Sequence, residues 1–223
     1  AEKSRTRRHL TEYWHLELEE PWLDLDGLIN VEEELVLHIC RQVAAHAAED
    51  LKDLGRDADG LAGLKAPFPR ISYDRAIELI HSRDSSFNWG MDLGYEQEKI
   101  LTANFATPFF VTHFPKGVKA FYHMPDPERP EVTLSVDLLA PEGYGEITGG
   151  GQRIHDYQQL MKRIEEEHLN PEQYSWYLDL RKYGTVPHSG FGMGIERTVA
   201  WICKLKHIRD AVAFPRLTNR IYP

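Results

Sequence analysis

The segment that most constrains the fold is GFGMGIER at residues 190–197. Gly190, Gly192 and Gly194 stand at alternate positions, and alternate residues of a strand point to one face. The apolar spacing that follows is helical, so Arg197 falls in the first turn of a helix. A bare strand face beside a helix start and an arginine is typical of a nucleotide site. The same glycines also fit a bulge or close packing, and this segment alone does not decide between the two.

Length and composition exclude several classes of protein. The chain has 223 residues, of which 42% are hydrophobic and 27% charged, and no apolar run is long enough to span a membrane. Its two cysteines, Cys40 and Cys203, make neither a disulfide framework nor a zinc cluster, which fits a cytoplasmic protein without a membrane partner. The net charge of −9 argues against coating nucleic acid with the whole surface, so any such contact is expected to be local.

Hydrophobic periodicity predicts helices mixed with antiparallel strands. In residues 13–19 the side chains alternate, with Tyr13, His15, Glu17 and Glu19 on one face. Further strands are predicted at 108–113, 118–122 and 132–138, and helices at 27–54 behind an Asp26 cap, 73–81 behind Ser72, 156–168 and 170–184. Loops are expected at 55–69, 82–100 and 123–131. This order of elements, without regular β-α-β repeats, favours an α+β architecture.

Asp137 and Glu146 are the best candidates for a metal-binding pair. Asp137 lies on the polar face of a predicted strand, and Glu146 follows after a short turn. Mg²⁺ prefers oxygen ligands and takes the others from substrate phosphates. Arg153 stands beyond three glycines, so an acid and an arginine flank a cleared backbone that could hold a zwitterion or an amide. The alternative is an exposed turn with a surface salt bridge.

Signatures of other kinds of catalysis are missing from the sequence. The histidines show no metal-binding spacing, and there is neither a Walker sequence nor a Gly-x-Ser-x-Gly elbow. The arginines, carboxylates and glycines instead favour phosphoryl or adenylyl transfer, in which catalysis is mainly alignment and charge neutralisation.

Several segments resemble the catalytic domain of class II aminoacyl-tRNA synthetases. Residues 190–197 resemble motif 3, and residues 2–13, EKSRTRRHLTEY, resemble motif 2 with its loop between antiparallel strands. Residues 135–139 and 145–153 resemble the segment between these motifs in the aspartyl and asparaginyl subgroup. The resemblance implies an antiparallel sheet of the class II synthetase type flanked by helices, with ATP and Mg²⁺ as cofactors.

The resemblance also implies a role for each matching residue. Catalytic roles fall to Arg197, Glu146, Arg8 and His9. ATP contacts are implied for Glu2, Arg8, His9, Leu10, Tyr13, Glu146, Gly194, Ile195, Glu196 and Arg197. The amino acid would contact Glu17, Gly149, Arg153, Gly190 and Gly192, and Mg²⁺ would be bound by Asp137 and Glu146.

Within the subgroup, the sequence resembles the asparaginyl branch more than the aspartyl branch. The aspartyl branch usually has Asp at the position of Glu17, and often Pro-Pro-His where residues 186–188 read Val-Pro-His. The resemblance therefore implies asparagine as substrate, transfer to the acceptor end of tRNA(Asn), and a homodimer. The alternatives are an aspartyl-tRNA synthetase, a synthetase-derived asparagine synthetase that uses ammonia, and a non-catalytic tRNA-binding module.

The family has further segments ahead of the motif 2 loop. An arginine directly precedes the position of Ala1, and motif 1 and an N-terminal anticodon-binding barrel lie further upstream; none of the three is in this sequence. Residues 1–223 are therefore expected to be the C-terminal part of an incomplete catalytic domain, from the motif 2 loop to motif 3, and to be inactive alone.

Overall fold

The computed structural model describes residues 6–218, 220 and 222. In this part of the chain, six strands form one sheet in the order β1-β6-β5-β4-β3-β2. The strands are β1 His15–Pro21, β2 Arg70–Ser72, β3 Phe109–Thr112, β4 Ser135–Ala140, β5 Gly145–Gln152 and β6 His188–Gly194. Neighbouring strands are antiparallel, except that β2 pairs with β3 in parallel. The prediction of an α+β fold with a largely antiparallel sheet is confirmed.

Eight α-helices and three 3₁₀ turns accompany the sheet over the described ranges. The helices are α1 Leu25–His46, α2 Ala48–Asp53, α3 Ala58–Ala62, α4 Tyr73–His81, α5 Tyr95–Thr102, α6 Tyr157–Glu166, α7 Ser175–Lys182 and α8 Ile195–Ile202. The 3₁₀ turns are Lys116–Val118, Pro171–Tyr174 and Ile208–Ala211. No helix that the structure describes is long and apolar enough to cross a membrane.

The two faces of the sheet have different partners. Alternate residues of β3 show this, because Phe110 packs into the cluster of α1, whereas Phe109 and Val111 pack with α4 and α5. On the α1 side, Phe191 and Met193 of β6 are buried, and burying a side chain of this size stabilises the fold by about 1.5–3 kcal/mol. The face opposite α1 is left open over β1, β6 and β5, and this open face carries the predicted substrate residues.

Capping side chains explain where two helices begin. The Ser72 hydroxyl accepts a hydrogen bond from the Arg75 N–H at 3.2 Å, so α4 begins where the sequence predicts. The cap of α1 is Asp24 rather than the predicted Asp26, because the Asp24 carboxylate accepts from the Gly27 N–H at 2.8 Å. The predicted single helix 27–54 is two helices, since the backbone at Ala47 (φ −132°, ψ 30°) interrupts it.

Three other sequence-based expectations were wrong. The predicted strand 118–122 is not a strand, because the Phe121 and Tyr122 rings turn toward Tyr177, with centroids 6.1 and 6.5 Å from its ring. The expected loops 55–69 and 82–100 contain α3 and the beginning of α5. The glycine-rich segment that starts at residue 143, for which the sequence predicted no element, contributes strand β5, although glycine disfavours strands.

Candidate active site

A row of four residues runs across the open face of the sheet. Glu17 of β1 pairs with Gly192 of β6, Gly192 with Gly149 of β5, and Gly149 with Asp137 of β4. Because the two central positions are glycines, the surface between the two carboxylates is bare backbone. This is the flat floor that the glycine spacing predicts, and it extends over a second strand that the spacing did not indicate.

The outer glycines of β6 have different surroundings. A Cβ added at Gly190 would collide with the Glu19 carboxyl group and the Leu18 carbonyl, so this glycine serves close packing rather than an open floor. At Gly194 an added Cβ would lie 3.4 Å from the Arg197 side chain. The two interpretations of the glycine series therefore apply at different positions of the same strand.

A cavity of about 240 Å³ lies between the start of β1, the end of β6 and α8. Its lining includes most of the predicted ATP-binding residues: Arg8, His9, Leu10, Tyr13, Glu146, Gly194, Glu196 and Arg197. Glu2, which was also predicted to contact ATP, lies outside the described residues. Ile195 begins α8 but is absent from this lining. The carboxylate of Glu196 accepts from the Trp14 N–H at 3.0 Å, which ties α8 to the start of β1.

Arg197 lines this cavity and contacts two of its other lining residues. It donates to the Glu146 carboxylate at 2.9 Å and to the Glu146 carbonyl at 3.3 Å, and its other terminal nitrogen lies 3.2 Å from Nε2 of His9. Arg8 donates to the same Glu146 carbonyl at 3.3 Å. The structure thus brings together the four residues predicted to be catalytic.

Arg8 has a second partner that the sequence did not indicate. Its Nη1 donates to the Glu98 carboxylate at 2.6 Å, and the same Glu98 oxygen accepts from the Glu146 N–H at 2.7 Å. Glu98 comes from α5, inside a segment expected to be a loop. No local pattern could have revealed a contact between residues 90 positions apart.

The two predicted metal-binding carboxylates lie on either side of Gly149. A Cβ added at Gly149 would be 3.1 Å from Oε1 of Glu146 and 3.2 Å from Oδ1 of Asp137, so both oxygens face the same point. Two carboxylates that face one point suit Mg²⁺, which completes its shell with water and substrate phosphates. Within residues 6–218, 220 and 222, no group of three or more metal-ligating side chains is found. The magnesium site therefore stays a prediction, and the donor set fits it.

The charge states of these carboxylates are set by burial and by neighbouring cations. Burial raises the pKa of Asp137 to about 7, although both of its oxygens accept from Lys119 at 2.6 and 2.7 Å. Burial acts in the same direction on Glu146, but Arg197 and Lys119 outweigh it and lower the pKa of Glu146 below its usual value. Glu146 is therefore ionised at neutral pH, whereas Asp137 titrates near it. Lys119 is the second site residue that the sequence did not indicate.

A second cavity, of about 390 Å³, adjoins the first at His15, Gly149 and Gly192. At its polar end Arg153 donates to the Glu19 carboxylate at 2.7 and 3.0 Å. The remaining lining includes the aromatic side chains of Phe121, Tyr122, Tyr174, Trp176 and Tyr177. Glu17 and the predicted amino-acid residues Gly149, Arg153 and Gly192 all border this cavity, whereas Gly190 lies beneath Glu19.

A neutral histidine holds Arg153 from the other side. Burial, with added repulsion from Arg153 and Lys119, lowers the pKa of His123 to about 3. Its Nε2 therefore accepts from Nη1 of Arg153 at 3.3 Å, while its Nδ1 faces the Ala120 carbonyl at 3.3 Å. Arg153 is fixed between an acid and a neutral acceptor, and these two partners set the position of its guanidinium at the cavity.

The sequence of the chain matches a known family. The family model for tRNA synthetases class II (D, K and N) matches residues 1–218, nearly the whole chain. The chain belongs to this family. The resemblance to class II synthetases found in the motifs is confirmed.

Relatives in the class II synthetase family include proteins of the asparagine branch. The asparagine–tRNA ligase of Thermococcus gammatolerans is 53% identical over all 223 residues, which cover 52% of that protein. The crystal structure of asparaginyl-tRNA synthetase from Pyrococcus horikoshii complexed with asparaginyl-adenylate superposes with a TM-score of 0.96 at 53% identity, over the whole of this chain and 51% of that one.

Aspartyl-tRNA synthetases are similar but more distant. The aspartyl tRNA synthetase of Entamoeba histolytica superposes over the whole chain, and 47% of its own length, with a TM-score of 0.86 at 31% identity. The class II synthetase chain described here therefore spans about half the length of the relatives it matches.

Proposed function

We propose that the chain is the C-terminal part of the catalytic domain of an asparagine–tRNA ligase. In the proposed reaction, the carboxylate of asparagine attacks the α-phosphate of ATP, giving asparaginyl-AMP and pyrophosphate. The terminal ribose hydroxyl of tRNA(Asn) then attacks the carboxyl carbon and accepts the asparaginyl group, and AMP leaves. The identity to asparagine–tRNA ligases, 53% against 31% for an aspartyl enzyme, supports this choice.

Positioning and charge account for the first step without a protein nucleophile. The smaller cavity holds the nucleotide, with Arg197, Arg8 and His9 facing its phosphates and Tyr13 beside its base. Fixed cations of this kind stabilise the charge that develops on the transferring phosphate. Mg²⁺ held by the two carboxylates beside Gly149 would neutralise phosphate charge when bound.

The pair Arg153–Glu19 is the observation that carries the choice of asparagine. The Arg153 guanidinium faces the larger cavity with its charge already compensated by Glu19, and Glu17 adds a further negative charge to the lining. An amide oxygen can accept from Arg153 while its NH₂ group donates to a carboxylate. A side-chain carboxylate would instead place a like charge beside Glu19, and this repulsion disfavours aspartate.

Glu19→Gln tests this assignment. We expect the ratio of kcat/KM for asparagine over aspartate, measured by ATP–pyrophosphate exchange on the intact polypeptide that carries these residues, to fall roughly tenfold or more. Glu20→Gln is the matched control, because Glu20 is the next residue and does not border the larger cavity. A wild-type protein that activates aspartate in preference to asparagine would contradict the proposal.

The remaining functional predictions belong to the intact protein. The chain spans only about half the length of its relatives. For the intact protein we therefore propose, from the family, a homodimer, a cytoplasmic location and recognition of tRNA(Asn). Ammonia-dependent formation of asparagine from aspartate and ATP, without tRNA, would favour a synthetase-derived asparagine synthetase instead.

A further inference from the structure

Trp176 is an exposed aromatic residue at the larger cavity. It lies in the first turn of α7 and borders the cavity, yet 65% of its surface is exposed. An indole ring of this size in contact with water forgoes the free energy of burial, so its place at a cavity mouth calls for a ligand that covers it.

The Trp176 ring packs against the ring of Tyr177. Its centroid lies 5.4 Å from that of Tyr177, with an angle of 64° between the ring planes. Tyr177 is itself fixed, because its hydroxyl accepts from Arg181 at 2.8 Å and the Arg181 guanidinium lies 4.0 Å from its ring centroid. The support is rigid, and a broad face of the indole is left for stacking.

The proposed amino acid does not account for this surface. Asparagine is small and polar, and the polar end of the cavity at Glu19, His123 and Arg153 supplies its partners. The adenine of ATP belongs in the other cavity, beside Arg197 and Tyr13. Trp176 thus offers a planar surface at the cavity mouth that neither ligand covers, and nucleobases are planar groups that stack on exposed aromatic side chains.

We propose that Trp176 stacks on the 3′-terminal base of the tRNA acceptor end and so places the terminal ribose for acyl transfer. This inference rests on the proposed ligase function. The terminal ribose must approach the carboxyl carbon of the activated amino acid, so its base comes to lie at the mouth of this cavity. Lys182, in the last turn of α7, adds positive charge on the same helix, which suits a polyanion.

Two assays separate this role from amino-acid activation. Asparagine-dependent ATP–pyrophosphate exchange needs no tRNA, whereas aminoacylation does. For Trp176→Ala in the intact protein we expect the KM for tRNA in aminoacylation to rise roughly tenfold or more, because stacking on one base contributes about 1–3 kcal/mol. Exchange should stay within about twofold of wild type. Trp176→Phe keeps an aromatic face and should recover most of the loss.

Trp22→Ala is the matched control, because Trp22 is 72% exposed and does not border either cavity. It should change neither assay. A second measurement uses tRNA that lacks its terminal adenosine: wild type and Trp176→Ala should bind this shortened tRNA equally, and intact tRNA unequally.

Three outcomes would overturn the inference. An unchanged KM for tRNA in Trp176→Ala, with exchange intact, would remove Trp176 from tRNA binding and leave the proposed function standing. A loss in exchange as large as the loss in aminoacylation would assign Trp176 to the amino-acid site. Absence of asparagine-dependent exchange in the wild-type protein would refute the ligase function itself, and the inference with it.

Discussion

A buried carboxyl group beneath the active-site floor should make stability depend on pH. Glu32 of α1 is completely buried, on the face of the sheet opposite the cavities. One of its oxygens accepts a hydrogen bond from the Thr148 hydroxyl of β5, next to Gly149. Its other oxygen has no hydrogen-bond partner among the residues that the structure describes. The negative charge of an ionised carboxylate at this position would be stabilised by only one hydrogen bond from these residues.

The size of this pH dependence of stability follows from the pKa of Glu32. Burial raises the pKa of Glu32 from 4.5 to about 8, despite the hydrogen bond from Thr148. Between these two pH values the folded protein keeps a proton that the unfolded chain releases, so stability is lost progressively as the pH rises from 4.5 to 8. At about 1.4 kcal/mol for each pKa unit, the loss across this window is at most roughly 5 kcal/mol.

Glu32→Gln removes this titration, because an amide is neutral at every pH in the window. We expect the free energy of unfolding of the variant, relative to wild type, to increase by several kcal/mol between pH 5 and pH 9, measured by urea denaturation with a common slope. Other groups that titrate in this range, such as Asp137, contribute to both proteins and largely cancel in the difference.

Glu34→Gln is the control for charge on the same helix. Glu34 is exposed, so the difference in free energy of unfolding between the Glu34→Gln variant and wild type should vary by less than about 0.5 kcal/mol over the same pH range. If the difference in free energy of unfolding between Glu32→Gln and wild type varied as little with pH, Glu32 would titrate normally in the folded protein. The reasoning from its burial would then be refuted.

Two further variants test the active site. Arg197→Ala removes the guanidinium that contacts Glu146, and asparagine-dependent ATP–pyrophosphate exchange should fall roughly a hundredfold or more; unchanged exchange would contradict the site assignment. Gly149→Ala places a methyl group 3.1–3.2 Å from the oxygens of Glu146 and Asp137, and the Mg²⁺ concentration that gives half-maximal exchange should rise severalfold. Gly117→Ala, where an added Cβ meets nothing within 4 Å, should leave that concentration unchanged and serves as the control.

Helices and strands whose signals lie within their own segment could be predicted from the sequence. The Ser72 cap and the apolar spacing behind it predict α4, because a cap acts within its own helix. Alternation around Glu17 and Asp137 predicts the faces of β1 and β4, since side chains of a strand alternate regardless of its partner. The motif at residues 190–197, which carries glycines of the floor and Arg197, consists of a few neighbouring residues, and motifs of this kind identified the family.

What the sequence could not show depends on contacts between distant segments. Lys119 pairs with Asp137 from a segment whose pattern predicts a strand, and its role appears only when aromatic packing bends that segment. Glu98 contacts Arg8 across 90 positions, with no pattern that links them. The strand β5 was missed because its glycines carry no side chains to alternate, although pairing with β4 and β6 holds it in the sheet.

The ion pairs of the site suggest why nucleotide and metal should bind together. Glu146 is paired with Arg197, and Asp137 with Lys119. A triphosphate is a stronger anionic partner for an arginine than a carboxylate is, so its arrival competes for Arg197, the partner of Glu146, and for Arg8, the partner of Glu98. Each carboxylate oxygen released in this way is a hard ligand beside phosphate oxygens, which is the environment that Mg²⁺ prefers. Magnesium would then compensate the acids that the nucleotide has left unpaired, and ATP affinity and Mg²⁺ affinity would rise together.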